Sequence, residues 1–303
     1  MIKKKYEGII PAFYACYDDD GKISTERTRA FARHLINKGV HGLYVCGSSG
    51  ECIYLSKNER KLILESVMEE ARGKITVIAH VACNNTADSI ELAAHAEALG
   101  VDAIAAIPPI YFRLPEDAIA KYWNDISSAA PNTDFIIYNI PQLAGVALTL
   151  PLLRTMTENP RVVGVKNSSM SAQDIEMFKN ELGDGKVVFN GPDEQLISGL
   201  VMGASGGIGG TYAVMPEAYL KIYNCVVDGD LKTAKELQYQ VNSIIYDLCS
   251  CHGNMYAVIK KIIHIREGIN IGGVRTPLTS VIAEDTEKIN QCIKKIDHLL
   301  KNI

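Results

Sequence analysis

The chain has 303 residues, of which 47% are hydrophobic and 22% are charged, and its formal net charge at pH 7 is −4. These proportions are typical of a globular protein, and they exclude a disordered or fibrous chain. The slightly acidic balance gives no electrostatic reason to bind nucleic acid or an anionic membrane, so neither is expected as a partner.

Short apolar runs of strand-like composition alternate with segments in which apolar residues recur every three or four positions. Several of these segments begin at a Ser or Thr and end at a glycine, as from Ser56 to Gly73 and from Thr86 to Gly100, which is typical of capped helices. The predicted strands cover residues 8–13, 42–46, 75–81, 102–107, 134–140, 162–166, 186–190 and 205–209. After residue 229 the strand pattern stops, and the three helices predicted there cover residues 230–251, 254–267 and 281–302.

Eight strands, each followed by a helix, within about 225 residues match the size of a (β/α)8 TIM barrel. The strands are apolar on both faces, as a parallel sheet covered by helices requires. We therefore predict an α/β fold in which residues 1–228 form the barrel and residues 229–303 form a C-terminal three-helix appendage. A doubly wound parallel sheet is the alternative, because the number of strands favours the barrel over that fold only moderately.

The eight cysteines include no CxxC pair and no His/Cys cluster at zinc spacing, so no metal site is expected. Reduced thiols in a chain of this size indicate a reducing compartment. The N-terminal apolar stretch is too short for a secretion signal, and no run approaches the roughly 18 apolar residues that a membrane span needs. These features predict a cytoplasmic protein.

Functional groups of a (β/α)8 barrel lie where the strands end, at the carboxyl face. Lys166 ends the sixth predicted strand, directly after Val162-Val163-Gly164-Val165. Burial disfavours the ammonium form, so a lysine carried into apolar surroundings becomes a nucleophilic amine. A solvated side chain at the end of the strand is the alternative that the local sequence leaves open.

Hydroxyl groups follow three other strands. Ser48 and Ser49 lie in the run GSSGE after the second strand, where short donors between glycines suit a carboxylate, although a plain turn explains the same letters. Tyr111 lies in a stiff loop after the fourth strand. Tyr138 ends the fifth strand, where a phenol positioned by its neighbours can transfer protons.

The remaining candidates follow the sixth, seventh and eighth strands. The acidic pair, Asp193 and Glu194, is compatible with three roles. It suits a general acid/base couple, acceptors for several hydroxyl groups, or the negative charges at the start of the next helix. The glycines leave room for a ligand or for close backbone packing. The candidates are Ser168, Gly191, Asp193, Glu194, Gly209 and Gly210. His80, at the end of the third strand, is expected to be hydrogen-bonded to the backbone rather than to act in the site.

The motifs GSSGE, YNIPQLAG, GVKNSS, NGPDE and GGIGGTY, in this order, resemble the pyruvate-dependent class I aldolase family that contains dihydrodipicolinate synthase and N-acetylneuraminate lyase. The resemblance extends from Gly8 to the helical tail. It implies that Lys166 forms a Schiff base with pyruvate and that Tyr138 transfers protons. It also implies that Ser48 and Ser49 hold the pyruvate carboxylate, and that neither a metal nor an organic cofactor is needed.

The same resemblance implies an assembly and a sugar site. A tyrosine at the place of Tyr111 approaches the site of a neighbouring subunit in this family, and the usual assembly is a homotetramer built as a dimer of dimers. Asp193 and Glu194 match an acidic pair that accepts hydrogen bonds from a sugar's hydroxyl groups. Ser168 and the backbone near Gly191 complete that contact.

Two positions bear on the substrate. Leu143 stands where dihydrodipicolinate synthases carry an arginine that captures an anionic aldehyde, and the segment YNIPQLAGVALT resembles the sialic acid lyases of the family instead. The expected reaction is the reversible cleavage of N-acetylneuraminate to N-acetylmannosamine and pyruvate. Gly210 stands where those lyases usually have a serine. The alternatives are an aldolase for another 2-keto-3-deoxy sugar acid, a dihydrodipicolinate synthase, and a non-catalytic keto-acid-binding protein.

Overall fold

The eight predicted strands are all present in the computed structural model, which describes residues 5–303, and they form one parallel sheet. The strands are β1 (Gly8–Pro11), β2 (Gly42–Val45), β3 (Thr76–His80), β4 (Ala103–Ala106), β5 (Asp134–Asn139), β6 (Val162–Asn167), β7 (Val187–Asn190) and β8 (Gly206–Gly209). β8 pairs with β1, and the amide of Phe13 donates to the carbonyl of Tyr44 at 2.8 Å, just beyond β1, to close the ring against β2. The barrel prediction is therefore confirmed, and the doubly wound alternative is wrong.

A helix follows each strand on the outside of the barrel. The helices are α1 (Thr25–Asn37), α2 (Lys57–Ala71), α3 (Thr86–Leu99), α4 (Glu116–Ser128), α5 (Leu150–Thr157), α6 (Ala172–Leu182), α7 (Leu196–Val201) and α8 (Pro216–Val227). Ser56 caps α2 through a reciprocal pair with Glu59, as its sequence predicts. The cap of α3 is Asn85 rather than Thr86, because the Asn85 side chain accepts from the amide of Asp88 at 2.7 Å.

The strands are buried on both faces, which explains their nearly continuous apolar sequences. Successive residues of each strand point alternately into the barrel and out towards the helices. The inner cluster is formed mainly by Tyr6, Ile10, Tyr44, Ile78, Ala103, Ala105, Ile136, Tyr138, Val163, Val187, Phe189 and Ile208. The barrel is therefore a packed core, and space for chemistry exists only at its ends.

Three helices follow the barrel, as predicted: α9 (Leu231–Cys249), α10 (Met255–Glu267) and α11 (Thr286–Lys301). Their apolar faces share one hydrophobic cluster with the outer side of the barrel. Within residues 5–303, none of the helices has both the length and the apolar composition needed to cross a membrane.

A fully buried ion pair connects α10 to the loop after β2. The Nζ of Lys260 lies 2.8 Å from Oε1 of Glu51, and both side chains are fully buried. Lys260 also donates to the carbonyls of Ala15 and Gly273, and the other Glu51 oxygen accepts from the Tyr17 hydroxyl at 3.0 Å. Because each charge has further hydrogen-bond partners, the pair offsets much of its desolvation cost.

Lys260→Ala is expected to lower the free energy of unfolding by about 3–5 kcal/mol, because it leaves the Glu51 carboxylate buried without its counter-ion. Urea unfolding followed by circular dichroism measures the loss. Lys261→Ala, which removes the exposed neighbouring lysine, is the matched control. Equal losses in the two variants would contradict the structural role given to the pair.

Candidate active site

A bulge in β6 turns Lys166 into the barrel mouth. Val162 pairs with Phe135, but Gly164 pairs with Ile136, so the register of β6 shifts by one residue at this point. Strict alternation from the inward Val163 would point Lys166 outwards. The extra residue instead aligns Lys166 with Tyr138, whose side chain also faces inwards, as β-bulges near functional sites do elsewhere.

The Lys166 amine is enclosed by aromatic rings. Its side chain is 3% exposed, and Nζ lies 3.9 Å from the ring centre of Tyr138 and 4.1 Å from that of Tyr44. No residue of the described range hydrogen-bonds this amine. The solvated alternative left open by the sequence is therefore wrong.

Burial lowers the pKa of Lys166 to about 7, and the nearby acidic groups, first of all the Asp193 carboxyl, oppose this only in part. Loss of hydration disfavours the ammonium form, and no carboxylate contacts it closely enough to restore it. A large fraction of the amine is consequently neutral near pH 7. A neutral amine is the form that attacks a carbonyl carbon.

Tyr138 lies beside this amine and close to two hydroxyl groups. Burial raises the pKa of Tyr138 to about 12, while side-chain hydrogen bonds with Ser48 and Ser168 lower it in part. Ser168 is positioned by its amide, which donates to the Asn139 carbonyl at 2.7 Å. The structure thus brings the predicted groups Lys166, Tyr138, Ser48 and Ser168 together.

The GSSGE run is a tight turn whose hydroxyls face the mouth. Ser48–Gly50 form a single 3-10 turn, and Glu51 follows with a φ of 58°, a left-handed conformation that its buried ion pair holds in place. The Ser49 side chain is 6% exposed and donates to the Tyr256 hydroxyl at 3.2 Å. Both serines therefore line the predicted site.

Asp193 anchors the loop after β8. Its Oδ1 accepts from the amide of Gly210 at 3.1 Å, and its Oδ2 accepts from the amide and the hydroxyl of Thr211 at 2.5 and 2.6 Å. Burial raises the pKa of Asp193 to about 6, and the Thr211 hydrogen bonds oppose the rise. The Glu194 side chain is half-buried and makes no hydrogen bond within residues 5–303. Of the acidic pair, Asp193 therefore anchors a loop, and Glu194 is available to accept a hydrogen bond.

The glycines around the mouth allow close packing. A Cβ at Gly209 would overlap the Asp193 carboxylate, and one at Gly191 would overlap the Ser168 hydroxyl. At Gly210 the nearest atom to such a Cβ, Oγ of Ser49, is 3.1 Å away. Gly191 and Gly209 are therefore required by the fold of the site, whereas Gly210 leaves some room.

Two further predicted residues lie outside this cluster, and His80 packs against it, with its ring centre 5.9 Å from that of Tyr138. Tyr111 is 90% exposed, with its ring against Phe112, so within one chain it does not join Lys166. Leu143 is 64% exposed in the one-turn helix Pro141–Ala144. His80 is buried with Nδ1 3.0 Å from the Cys46 carbonyl, and burial places its pKa well below the ordinary value. The expectation that His80 is satisfied by the backbone is confirmed.

Sequence reasoning missed two side chains of the site. Tyr44 lies in the second strand, whose run GLYVC is apolar throughout and so does not show which residues face inwards. Tyr256 comes from α10, and its only sequence signal is the lysine one turn later, Lys260, on an apolar helix face. The residues that the structure describes contain no cluster of three or more His, Cys, Asp or Glu side chains suited to a metal ion.

The fold and this cluster together are those of a (β/α)8 barrel with a buried lysine at the carboxyl ends of its strands. A family model described as the dihydrodipicolinate synthetase family matches residues 5–296. The chain therefore belongs to the dihydrodipicolinate synthetase family.

Individual relatives are similar over nearly the whole chain. An N-acetylneuraminate lyase of Mediterraneibacter gnavus is 61% identical over 293 residues, which cover 97% of this chain and 93% of the relative. An N-acetylneuraminate lyase of Escherichia coli O1:K1 is 36% identical over 274 residues, covering 90% of this chain and 91% of the relative. A solved structure described as a catalytic lysine mutant of the Ruminococcus gnavus sialic acid aldolase has a TM-score of 0.98 at 60% identity, covering 99% of this chain and 98% of that one.

Lys166→Met is expected to stabilise the protein, and most strongly below neutral pH. Because the pKa of Lys166 is about 7, the folded chain holds a buried ammonium below that pH. Above that pH the amine of the folded chain is neutral, whereas the lysine of the unfolded chain still binds its proton. The stability of the wild type therefore rises with pH above about 7 because of this group, so the advantage of the variant shrinks towards about pH 9. Thermal melting across this range measures the difference.

The matched control is Lys121→Met, which replaces an exposed lysine of α4. Its effect on the melting temperature should not vary with pH in this window. An equally pH-independent difference for Lys166→Met would contradict a lowered pKa for the buried amine.

Proposed function

We propose that this protein catalyses the reversible cleavage of N-acetylneuraminate to N-acetylmannosamine and pyruvate through a Schiff base on Lys166. The observation that carries the proposal is the buried amine, with a pKa lowered to about 7, lying 3.9 Å from the ring centre of Tyr138. The relatives named N-acetylneuraminate lyase, and the solved aldolase whose name refers to a catalytic lysine, support both the reaction and the role of Lys166.

In the cleavage direction, the neutral Lys166 amine attacks the keto carbon of the open-chain sugar acid, and loss of water leaves an iminium ion. Tyr138 supplies and removes the protons of this step, with the Ser48 hydroxyl as its relay. The positive iminium then favours the phenolate form of Tyr138, because an opposite charge nearby lowers a phenol's pKa. This enables Tyr138 to take the proton of the C4 hydroxyl.

Removal of that proton breaks the C3–C4 bond. The bonding electrons move into the iminium and form an enamine, and N-acetylmannosamine leaves as the aldehyde. Protonation of the enamine at C3 and hydrolysis of the imine then release pyruvate and restore the amine. The reverse sequence joins the same two molecules, so no metal or organic cofactor takes part in the proposal.

The substrate groups match the surrounding side chains. Ser48 and Ser49 would donate to the carboxylate, whose charge strengthens these hydrogen bonds. Ser168 and Glu194 would bind the hydroxyl groups of the sugar, together with the Gly191 backbone. Asp193 would contribute indirectly, by holding the strand-end loop that contains Gly209 and Gly210 against the ligand.

Assembly and location belong to the same proposal. The exposed Tyr111 would reach the proton relay of a neighbouring copy in a homotetramer built as a dimer of dimers, and so would act in catalysis there. The enzyme would work in the cytoplasm. The division into a catalytic barrel (1–228) and a helical extension (229–303) is also proposed, because only helices follow the eighth β/α unit. The two parts share a core through α9 to α11.

One observation favours a second candidate substrate. Gly210 offers no hydroxyl near the sugar, which suits an aldolase for another 2-keto-3-deoxy sugar acid such as 2-keto-3-deoxygluconate. Leu143 disfavours dihydrodipicolinate synthesis, because no fixed guanidinium is present to hold an anionic aldehyde. A mere binding protein has no use for a neutral buried amine, which disfavours the non-catalytic alternative.

Borohydride trapping tests the mechanism. Incubation with pyruvate and borohydride should leave one reduced pyruvyl group on Lys166, identified by peptide mass spectrometry. Lys166→Met should gain none, and Lys260 should stay unmodified because its amine is held by Glu51 and two carbonyls. An unmodified Lys166 in the wild type would refute the Schiff-base mechanism.

Pyruvate release from a panel of sugar acids tests the substrate. We expect kcat/KM for N-acetylneuraminate to exceed that for 2-keto-3-deoxygluconate at least about tenfold, a difference of about 1.4 kcal/mol in transition-state binding. Lys166→Met serves as the inactive control. A reversed preference would replace the first candidate with the second, and pyruvate trapping without any turnover would favour a binding protein.

A further inference from the structure

The C-terminal extension contributes a side chain to the mouth of the barrel. Tyr256, in the first turn of α10, accepts a hydrogen bond from Oγ of Ser49 at 3.2 Å, and its ring lies 5.8 Å from that of Tyr14. One turn later Lys260 pairs with Glu51. Two residues on one face of α10 therefore hold the GSSGE loop, which fixes the position of the Tyr256 phenol.

The phenol retains an unused donor. Because Ser49 donates to Tyr256, the hydroxyl proton of Tyr256 points to another acceptor, and no residue between 5 and 303 accepts it. Burial raises the pKa of Tyr256 to about 12, so the proton stays in place near neutral pH. The half-buried side chain thus offers one hydrogen-bond donor at the site.

The Tyr256 hydroxyl lies close to Gly210. A Cβ at residue 210 would lie 3.1 Å from Oγ of Ser49 and 3.6 Å from the hydroxyl oxygen of Tyr256. A short hydroxyl side chain at residue 210 would therefore reach the region that the Tyr256 hydroxyl already occupies. Gly210 itself is held by Asp193 through its amide and by the Tyr14 hydroxyl through its carbonyl.

We propose that Tyr256 determines substrate specificity by donating a hydrogen bond to a sugar oxygen next to the keto-acid end of the substrate. The Tyr256 phenol lies between the loop of Ser49, which would bind the substrate carboxylate, and the loop of Gly210 after β8. From this position its proton would reach the substrate oxygens that follow the carboxylate along the sugar chain. It replaces the hydroxyl that Gly210 does not supply. The assignment of a sugar-acid substrate rests on the function proposed above.

The test is Tyr256→Phe, assayed with whichever keto sugar acid of the panel the wild type cleaves best. We expect KM for this sugar acid to rise about five- to tenfold, as for the loss of one hydrogen bond, with kcat changed less than about threefold. Borohydride trapping with pyruvate alone should fall much less than cleavage of the sugar acid, because pyruvate has no sugar oxygens and the Lys260–Glu51 pair still holds the serine loop. Tyr246→Phe, at an exposed tyrosine of α9, is the matched control.

Rescue separates direct binding of the substrate from a merely structural role. Tyr256→Phe/Gly210→Ser should return KM to within about twofold of the wild type, since the serine supplies the missing hydroxyl and the phenylalanine leaves it space. Gly210→Ser alone should not lower KM, because the Tyr256 hydroxyl, 3.6 Å from the added Cβ, already fills the region that the serine hydroxyl would need. An unchanged KM in Tyr256→Phe, a matching loss in pyruvate trapping, or no rescue by the serine would each overturn the proposal.

A wild type that neither traps pyruvate nor cleaves any sugar acid would refute the proposed function itself. A wild type that does both, with a Tyr256→Phe variant of unaltered KM, would refute only the role of Tyr256. The two failures are therefore distinguishable in one set of measurements.

Discussion

One extra residue in β6 decides which way the amine points, and the remaining features of the site depend on it. The register shift places Lys166 beside Tyr138 on the inner side of the sheet. Gly164 makes the shift possible, because a Cβ there would overlap the Val187 backbone on the neighbouring strand. Without the bulge the same lysine would point among the outer helices, and the phenol and serines would surround an empty mouth.

Two buried lysines in one chain show how surroundings determine chemistry. Lys260 is 1% exposed and is surrounded by a carboxylate and two carbonyls, so its role is to hold α10 on the barrel. Lys166 is 3% exposed and has the faces of two aromatic rings against its amine. Similar burial leaves a paired ammonium that connects two elements in the first case, and an amine with a lowered pKa in the second.

Much of the fold was predictable because a covered parallel barrel imposes its own pattern. Strands buried on both faces give uninterrupted apolar runs, and barrel geometry places functional groups at their carboxyl ends, which located Lys166, Tyr138 and the serines. The bulge left no signal, since it depends on pairing between β5 and β6. Tyr256 was missed because it meets Ser49 across 207 positions of sequence, a separation that local patterns do not encode. The capping role of Asn85 was missed because the next residue, Thr86, is also of a type that commonly caps helices.

The link between α10 and the loop after β2 also bears on the order in which the molecule assembles. Glu51 and Lys260 are 209 positions apart, so the loop lacks its counter-charge until most of the chain has been synthesised and has folded around it. Early in biosynthesis, a ribosome-bound barrel fragment would hold the amine and the phenol but an unanchored serine loop. Such a fragment has the parts of the site without their final positions.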